Sequence, residues 1–400
     1  MQFSIVIPTR NRAGKLRHAL RSALAQQFDD FEVVVSNNQS RDETEQVALS
    51  HRDARLRYIR APRSMSMVDH WEFALGQACG DWVLFLCDDD ALMPGALQSL
   101  ADVAKEHSQL ELIQYGVINY VYDDGTVAEG NYVDVPEHIP RRTTLVDSQS
   151  CLRENFRRLS GDMPKFLNAA VHARLIQRLK DQYGRIFWDW APDYSSASLM
   201  LANTKQFVHT GPLMLWGENM ESYGAGSARN PAHMLSFFQQ FETFTGELPR
   251  SPYPQLLTVQ NCVYDTYIRI RELLGSQFAD LETDPIRFRQ ILIKDCRRFV
   301  ANGHPSYEEA AVQLEEEVRL LRRKRLTNPV WAWQSLVDGI GDIGRRLGRS
   351  IARRCTGAKR RERHHFANIC DAAAFVGERA CPVTKSTSRS ILDNRRQSAA

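Results

Sequence analysis

Over about the first hundred residues, apolar positions switch between solid strand-like runs and a period near 3.6. Phe3-Ser4-Ile5-Val6-Ile7 reads as a strand closed by Pro8, and Leu16, Ala19, Leu20, Ala23 and Leu24 then recur at helical spacing. Phe31-Glu32-Val33-Val34-Val35 predicts a second strand, Leu56-Arg57-Tyr58-Ile59 a third and Trp82-Val83-Leu84-Phe85-Leu86 a fourth. Ser40-Arg41-Asp42-Glu43 has the pattern of a capping box opening a helix toward His51. Val68, Trp71, Leu75 and Ala78 trace the next helical stripe; Leu97, Leu100, Ala101 and Ala104 trace the one behind strand four. Strands and helices alternating in this way predict βαβ units, a parallel sheet and right-handed crossovers.

The pattern then loosens. Leu110 to Tyr122 is strand-like, Asp124-Gly125 predicts a hairpin turn, and 126–150 reads as loop. Cys151 to Arg158 and Leu175 to Tyr183 predict helices. Phe207-Val208-His209 begins a short strand that Pro212 to Trp216 continues. Glu218 to Pro231, with Gly224 and Gly226, reads as a mobile loop. Met234 to Arg325 is helical, broken at Pro249-Arg250-Ser251-Pro252-Tyr253-Pro254.

Composition narrows the class. Four hundred residues with 43% hydrophobic content support one large or two modest domains, and a net charge of +3 argues against nucleic acid as a partner. The eight cysteines are scattered with no CxxC pair, which disfavours a zinc site and fits a reducing, cytoplasmic compartment. No signal-peptide pattern precedes the first strand, and no apolar run is long enough to span a bilayer. After Pro329 the chain turns basic: Arg345, Arg346, Arg349, Arg353 and Arg354 mix with Ile340, Ile343, Leu347 and Ile351 at helical spacing. That pattern predicts a basic amphipathic helix suited to peripheral contact with an anionic membrane, or else a solvated tail, with 384–400 disordered.

Candidate chemistry collects at the strand ends. Asp88-Asp89-Asp90 follows the fourth strand. Adjacent carboxylates at the C-terminal edge of a parallel sheet repel one another unless a cation such as Mg²⁺ or Mn²⁺ joins them, although one of the three can simply cap the helix marked by Pro94. Pro8-Thr9-Arg10-Asn11-Arg12 offers backbone N–H groups and two guanidinium groups for an anion. Asn37 and Asn38 follow strand two with amides able to read the edge of a base, and Arg60 and Arg63 follow strand three as phosphate binders. Together they describe a site for a nucleotide diphosphate.

These three segments, from Ser4 to Arg12, from Val34 to Thr44 and from Phe85 to Leu97, resemble the family 2 glycosyltransferases of GT-A fold in order and spacing. The resemblance implies a Rossmann-like α/β domain with a mostly parallel sheet flanked by helices, carrying here a helical C-terminal extension. It implies an inverting transfer from a nucleotide-diphospho-sugar donor, usually UDP-linked, to a glycan or lipid-linked acceptor, in bacterial-type polysaccharide synthesis. Thr9 and Arg12 match the family's nucleotide contacts; Asn38 and Asn37 stand where aspartates are common, and Arg63 matches a phosphate-side arginine. Asp88 to Asp90 cover the Asp-x-Asp region, where Cys87 replaces a frequent leading aspartate. Asp89 is then the first candidate for the metal, with Asp88 or Asp90 assisting.

The family's general base is the last residue of an acidic pair near a helix start. Asp193 in Trp188-Asp189-Trp190-Ala191-Pro192-Asp193-Tyr194 sits in that place, with Asp189 as runner-up and helix N-capping as the alternative role for Asp193. Trp188 and Trp190 are candidates for stacking on sugar, His209 for the metal or pyrophosphate, and Gly224-Ala225-Gly226 for a lid. The expected division is 1–115 for donor binding, 116–233 for acceptor, base and lid, 234–328 for a helical extension and 329–400 for the basic tail. Two rivals remain: a sugar-phosphate nucleotidyltransferase, which wants a Gly-rich loop where this chain has only Gly14, and a nucleotide-sugar binding module without turnover.

Overall fold

The solid apolar runs become buried central strands. In the computed structural model, which describes residues 1–123, 130–136, 139, 142–239, 244–327 and 361–380, β1 (Phe3–Thr9) and β2 (Phe31–Asn37) are buried at every position. With β3 (Leu56–Arg60) and β4 (Trp82–Phe85) they form the parallel part of the sheet, in the order β4-β1-β2-β3. Alternate residues serve opposite layers. Phe3, Ile5 and Ile7 pack with Leu16 and Leu20 of α1 (Ala13–Leu24), and α4 (Ala96–Glu106) adds Leu97 and Leu100. Val6 faces the other layer, where Trp71 of α3 (Met67–Leu75) meets Phe85 and Phe187 edge-on.

Beyond β4 the sheet is mixed. β9 (Ala169–His172) runs antiparallel to both β4 and β6 (Leu112–Val121), and β7 (Tyr132–Pro136) runs antiparallel to β6. The loop predicted over 126–150 contains two strands among its described residues, β7 and β8 (Thr144–Asp147), whose alternation is masked by polar and proline residues. The predicted Asp124-Gly125 turn lies outside the described residues. The two short strands read around Phe207 and Pro212 are one, β10 (Gln206–Glu218), parallel to β6 with register shifts at Pro212. β10 also pairs β8 and the two-residue β5 (Ala91–Leu92).

The helical extension shares a core with this domain. Tyr267 of α10 (Val259–Leu274), Phe288 of α11 (Pro285–Ala301) and Leu314 of α12 (Glu308–Thr327) join the apolar cluster that holds Phe156 of α5 (Ser148–Arg158) and Leu199 of α7 (Pro192–Ala202).

Three expectations are corrected. The capping box at Ser40 does not form: α2 (Thr44–Leu49) starts later, Ser40 Oγ accepts from the Asn11 N–H, and Asp42 accepts from the N–H groups of Ala13 and Thr44. The polar side chains of that loop hold the β1–α1 turn instead. The segment read as a mobile loop forms α8 (Tyr223–Arg229), followed by α9 (Pro231–Phe238). Residues inside the basic tail return to the sheet: β11 (Arg361–His365) pairs with β7, and the helix Ile369–Arg379 packs Ile369 and Val376 against Tyr120 and Val133. The predicted amphipathic helix around Ile340 and the stretch 384–400 lie outside the described residues.

Candidate active site

Strand order places the site. The chain builds outward from β1 to β3, then crosses back to set β4 on the other side of β1. Ligands of open α/β sheets bind where the order reverses, outside the carboxyl ends of the strands. Here that point lies between the residues after β1 and those after β4, and the two are bonded to each other. Thr9 Oγ1 donates to Asp88 Oδ2 at 2.7 Å, while Arg12 Nη1 donates to Asp88 Oδ1 at 3.2 Å and to Asp89 Oδ2 at 2.8 Å. A cavity of about 750 Å³ opens there, lined by Pro8, Thr9, Arg10, Arg12, Asn38, Asp88 and Asp89 on one side and by Lys165, Asp193 and Tyr223 on the other.

β10 and the turn after it clamp the aspartate loop. Gly217 N–H donates to Asp90 Oδ1 at 2.8 Å, Asn219 Nδ2 to Asp89 Oδ2 at 2.7 Å, and Tyr122 OH to the Asp89 carbonyl at 3.0 Å. Arg12 Nη2 donates to the Glu221 carbonyl at 2.6 Å, and Lys15 pairs with the Glu221 carboxylate. None of the three aspartates caps α4, whose N-cap is Gly95 in the left-handed region at φ 73°.

Burial decides the electrostatics. It pushes the Asp88 carboxyl up to about 6, with Arg12 opposing and Asp89 assisting. Burial and the neighbouring Asp89 drive Asp90 well above the usual carboxylate range, and the Cys87 thiol rises for the same reasons. Burial alone would lower Arg12, but Asp88 and Asp89 raise it. Asp90 Oδ2 is buried with no hydrogen-bond partner in a residue only 1% exposed. Ligand atoms of Cys87, Asp89 and Asp90 all lie within 4.8 Å of one another. A donor set with two carboxylates and an orphaned carboxylate oxygen fits a divalent cation.

The other candidates divide. Asp193 faces the cavity as the second residue of α7; the N-cap is Ala191, so N-capping is not its role. Its Oδ2 accepts from Lys165 Nζ at 2.8 Å. Asp189 turns away: at φ 50° its carboxylate pairs with Arg250 at 3.2 Å, outside the cavity lining. Asn38 lines the cavity, but both ends of its amide are bonded to the Met65 backbone at 2.9 Å. Asn37 is spent on Tyr58 OH at 2.8 Å and the Ser40 N–H at 2.8 Å. Arg63 is exposed and off the cavity, and Arg60 pairs with Glu45. Trp188 and Trp190 bond to the Arg185 carbonyl and to Asp265, and neither they nor His209 line the cavity.

Residues that the sequence reading passed over take those places. His70, Trp71, Lys165, Trp216 and Tyr223 all line the cavity. Trp71 sits on the helical stripe through Val68, where apolar spacing signals core as readily as site, and His70 lies off that stripe. Lys165, in Met163-Pro164-Lys165-Phe166, carries no pattern at all.

Residues 4–151 match the family model for Glycosyl transferase family 2. Over 108 residues it is 36% identical to the GalNAc(5)-diNAcBac-PP-undecaprenol beta-1,3-glucosyltransferase of Campylobacter jejuni, covering 26% of this chain and 35% of that one. Over 120 residues it is 34% identical to the PGL/p-HBAD biosynthesis glycosyltransferase of Mycobacterium bovis, covering 29% and 46%. The chain thus spans between a third and a half of the length of these two curated relatives. Among solved structures, S. aureus TarS 1-349 in complex with UDP-GlcNAc aligns over 78% of this chain and 92% of its own, at a TM-score of 0.46 and 16% identity.

Proposed function

We propose that this protein is an inverting glycosyltransferase that moves a sugar from a nucleotide diphosphate donor, UDP-linked by preference, to a hydroxyl of a glycan or lipid-linked acceptor. One observation carries the reading: Arg12, Asp88 and Asp89 share a single cavity with Asp193, so donor phosphates and a base can address one anomeric carbon. Asp89 and Asp90 are the residues to hold Mg²⁺ or Mn²⁺, with Asp88 assisting. The ion, when bound, neutralises charge on the departing nucleoside diphosphate. Pro8, Thr9, Arg10 and Arg12 take the nucleotide side. Asp193 removes the acceptor hydroxyl proton as the oxygen attacks in line, and the bond from the anomeric carbon to the nucleotide breaks on the opposite face. The lipid-linked acceptor rests on the PP-undecaprenol named in the Campylobacter jejuni relative. No helix among the described residues is long and apolar enough to cross a membrane. A cytoplasmic enzyme meeting such an acceptor at the membrane face is the reading in keeping with this.

The test is transfer from a panel of nucleotide sugars, with and without Mn²⁺. Asp193→Asn is expected to abolish transfer while donor binding persists. Asp89→Ala is expected to remove the metal-dependent part of donor binding, read as a thermal shift. Normal turnover by Asp193→Asn would move the base elsewhere.

A further inference from the structure

Lys165 is the buried cation of the cavity. It precedes a short 3-10 turn, Phe166–Asn168, and its backbone N–H donates to Asn168 Oδ1 at 2.8 Å, which fixes where its side chain starts. The residue is 7% exposed, yet Nζ reaches the cavity, 2.8 Å from Asp193 Oδ2 and 3.5 Å above the centre of the Tyr194 ring. Burying an ammonium is costly unless a carboxylate and further contacts offset the lost hydration. The fold supplies one of each. No other protein hydrogen bond reaches the Asp193 carboxylate among the described residues.

Resting on the reading of Asp193 as base, we infer that Lys165 is its positioning residue: the ammonium holds Oδ2 and leaves Oδ1 for the acceptor hydroxyl. The groups facing Asp193 support this division. Lys165 comes from the segment before β9, Tyr194 from α7, Tyr223 from α8 and Tyr267 from α10; of these only Lys165 is a cation. Burial lowers Lys165, but Asp193 and Tyr194 raise it above its ordinary value, so it stays charged across the working range of pH.

During transfer the acceptor O–H proton passes to Asp193, the acceptor oxygen bonds to the anomeric carbon, and the electron pair of the broken bond leaves with the nucleoside diphosphate. An ammonium fixed beside the carboxylate keeps it aimed before that step. It also predicts how the enzyme fails without it. Removing the cation leaves the carboxylate free to turn from the acceptor hydroxyl, so kcat falls while donor KM holds.

The experiment compares Lys165→Met, Lys165→Gln and Lys165→Arg with Asp193→Asn in the full chain. Lys165→Met is expected to lower kcat by about 10- to 100-fold and to leave donor KM within about twofold. Lys165→Gln, which keeps a donor without charge, is expected to recover part of the lost kcat, and Lys165→Arg to return kcat toward wild type, donor KM staying the same in both. A kcat within about twofold of wild type in Lys165→Met and Lys165→Gln, with Asp193→Asn inactive, leaves the base in place and overturns the role of Lys165. Full turnover by Asp193→Asn overturns the base reading and, with it, this one. Should Lys165→Met fail to fold, kcat and donor KM of Lys165→Gln decide.

Discussion

His70 shows at the scale of one residue how the cavity wall resists charge. It is 4% exposed, and its Nε2 lies 2.9 Å from Ser36 Oγ. Burial first and the nearby Arg10 second push it down from 6.5 to about 4. The folded state therefore stays neutral where the unfolded chain already takes up a proton. The stability that neutrality contributes is complete above the unfolded value and is lost as pH falls from about 6.5 toward about 4, by roughly 3 kcal/mol. Asp88, raised by burial to about 6, works with the opposite sign over part of that window. The informative quantity is therefore the difference between wild type and His70→Gln in urea unfolding across that range. Stability of the variant is expected to fall less on acidification; parallel curves would assign the loss to other groups. Thr9, Arg12 and Asp89 were legible because each follows an apolar strand, and a strand end fixes where a side chain goes. Lys165 and His70 were not. Their roles come from contacts across 28 and 34 residues, which no local pattern records.

At the scale of elements, the sequence reading did well on strands buried on both faces and poorly on β10 and α8, where glycine has two different uses. Gly217 lies in β10 where a Cβ would overlap the Asp89 carbonyl oxygen and come within 2.7 Å of the Tyr122 ring. Only a bare α-carbon lets β10 close on the aspartate loop and donate to Asp90. Gly224, two residues before Gly226, has open space around it and no left-handed backbone. It read as part of a mobile lid loop because glycine in a polar segment signals a loop, but α8 is held by Tyr223 stacked on Phe237 at 3.9 Å. The two glycines should therefore answer alanine oppositely. Gly217→Ala is expected to cost about 1–3 kcal/mol and to weaken metal-dependent donor binding. Gly224→Ala is expected to be neutral or to stabilise by up to about 1 kcal/mol, since alanine favours a helix. Chemical denaturation of both variants, alongside donor titration, checks the pair; a destabilised Gly224→Ala would restore the loop reading.

Across the whole molecule, the part most remote in sequence completes the sheet. The helix Ile369–Arg379 covers β5, β7 and β10, and Cys370 Sγ donates to the His18 carbonyl of α1 at 3.0 Å. Basic composition concealed this, because Arg361 and Arg363 read as tail while Ile369 and Val376 are too few to announce a core element. The consequence reaches the site. Ala91, Met93 and Leu215 share the cluster that Ile369 and Val376 close, and Ala91 and Leu215 are paired residues of the β5–β10 ladder that holds the aspartate loop. A chain ended at residue 360 would lose Ile369 and Val376, both fully buried, which removes roughly 3–6 kcal/mol of apolar burial. It would also leave β7 as an open edge, which invites pairing between molecules. Such a truncation is expected to melt well below the full chain and to elute partly as aggregate. Val376→Asp in the full chain should reproduce the loss of stability with β11 still present, because it buries a charge against Tyr120 and Val133. A truncated protein with an unchanged Tm and donor affinity would make residues 361–380 a passive appendage. A lowered Tm shared by the truncation and Val376→Asp makes them the wall behind the aspartate loop.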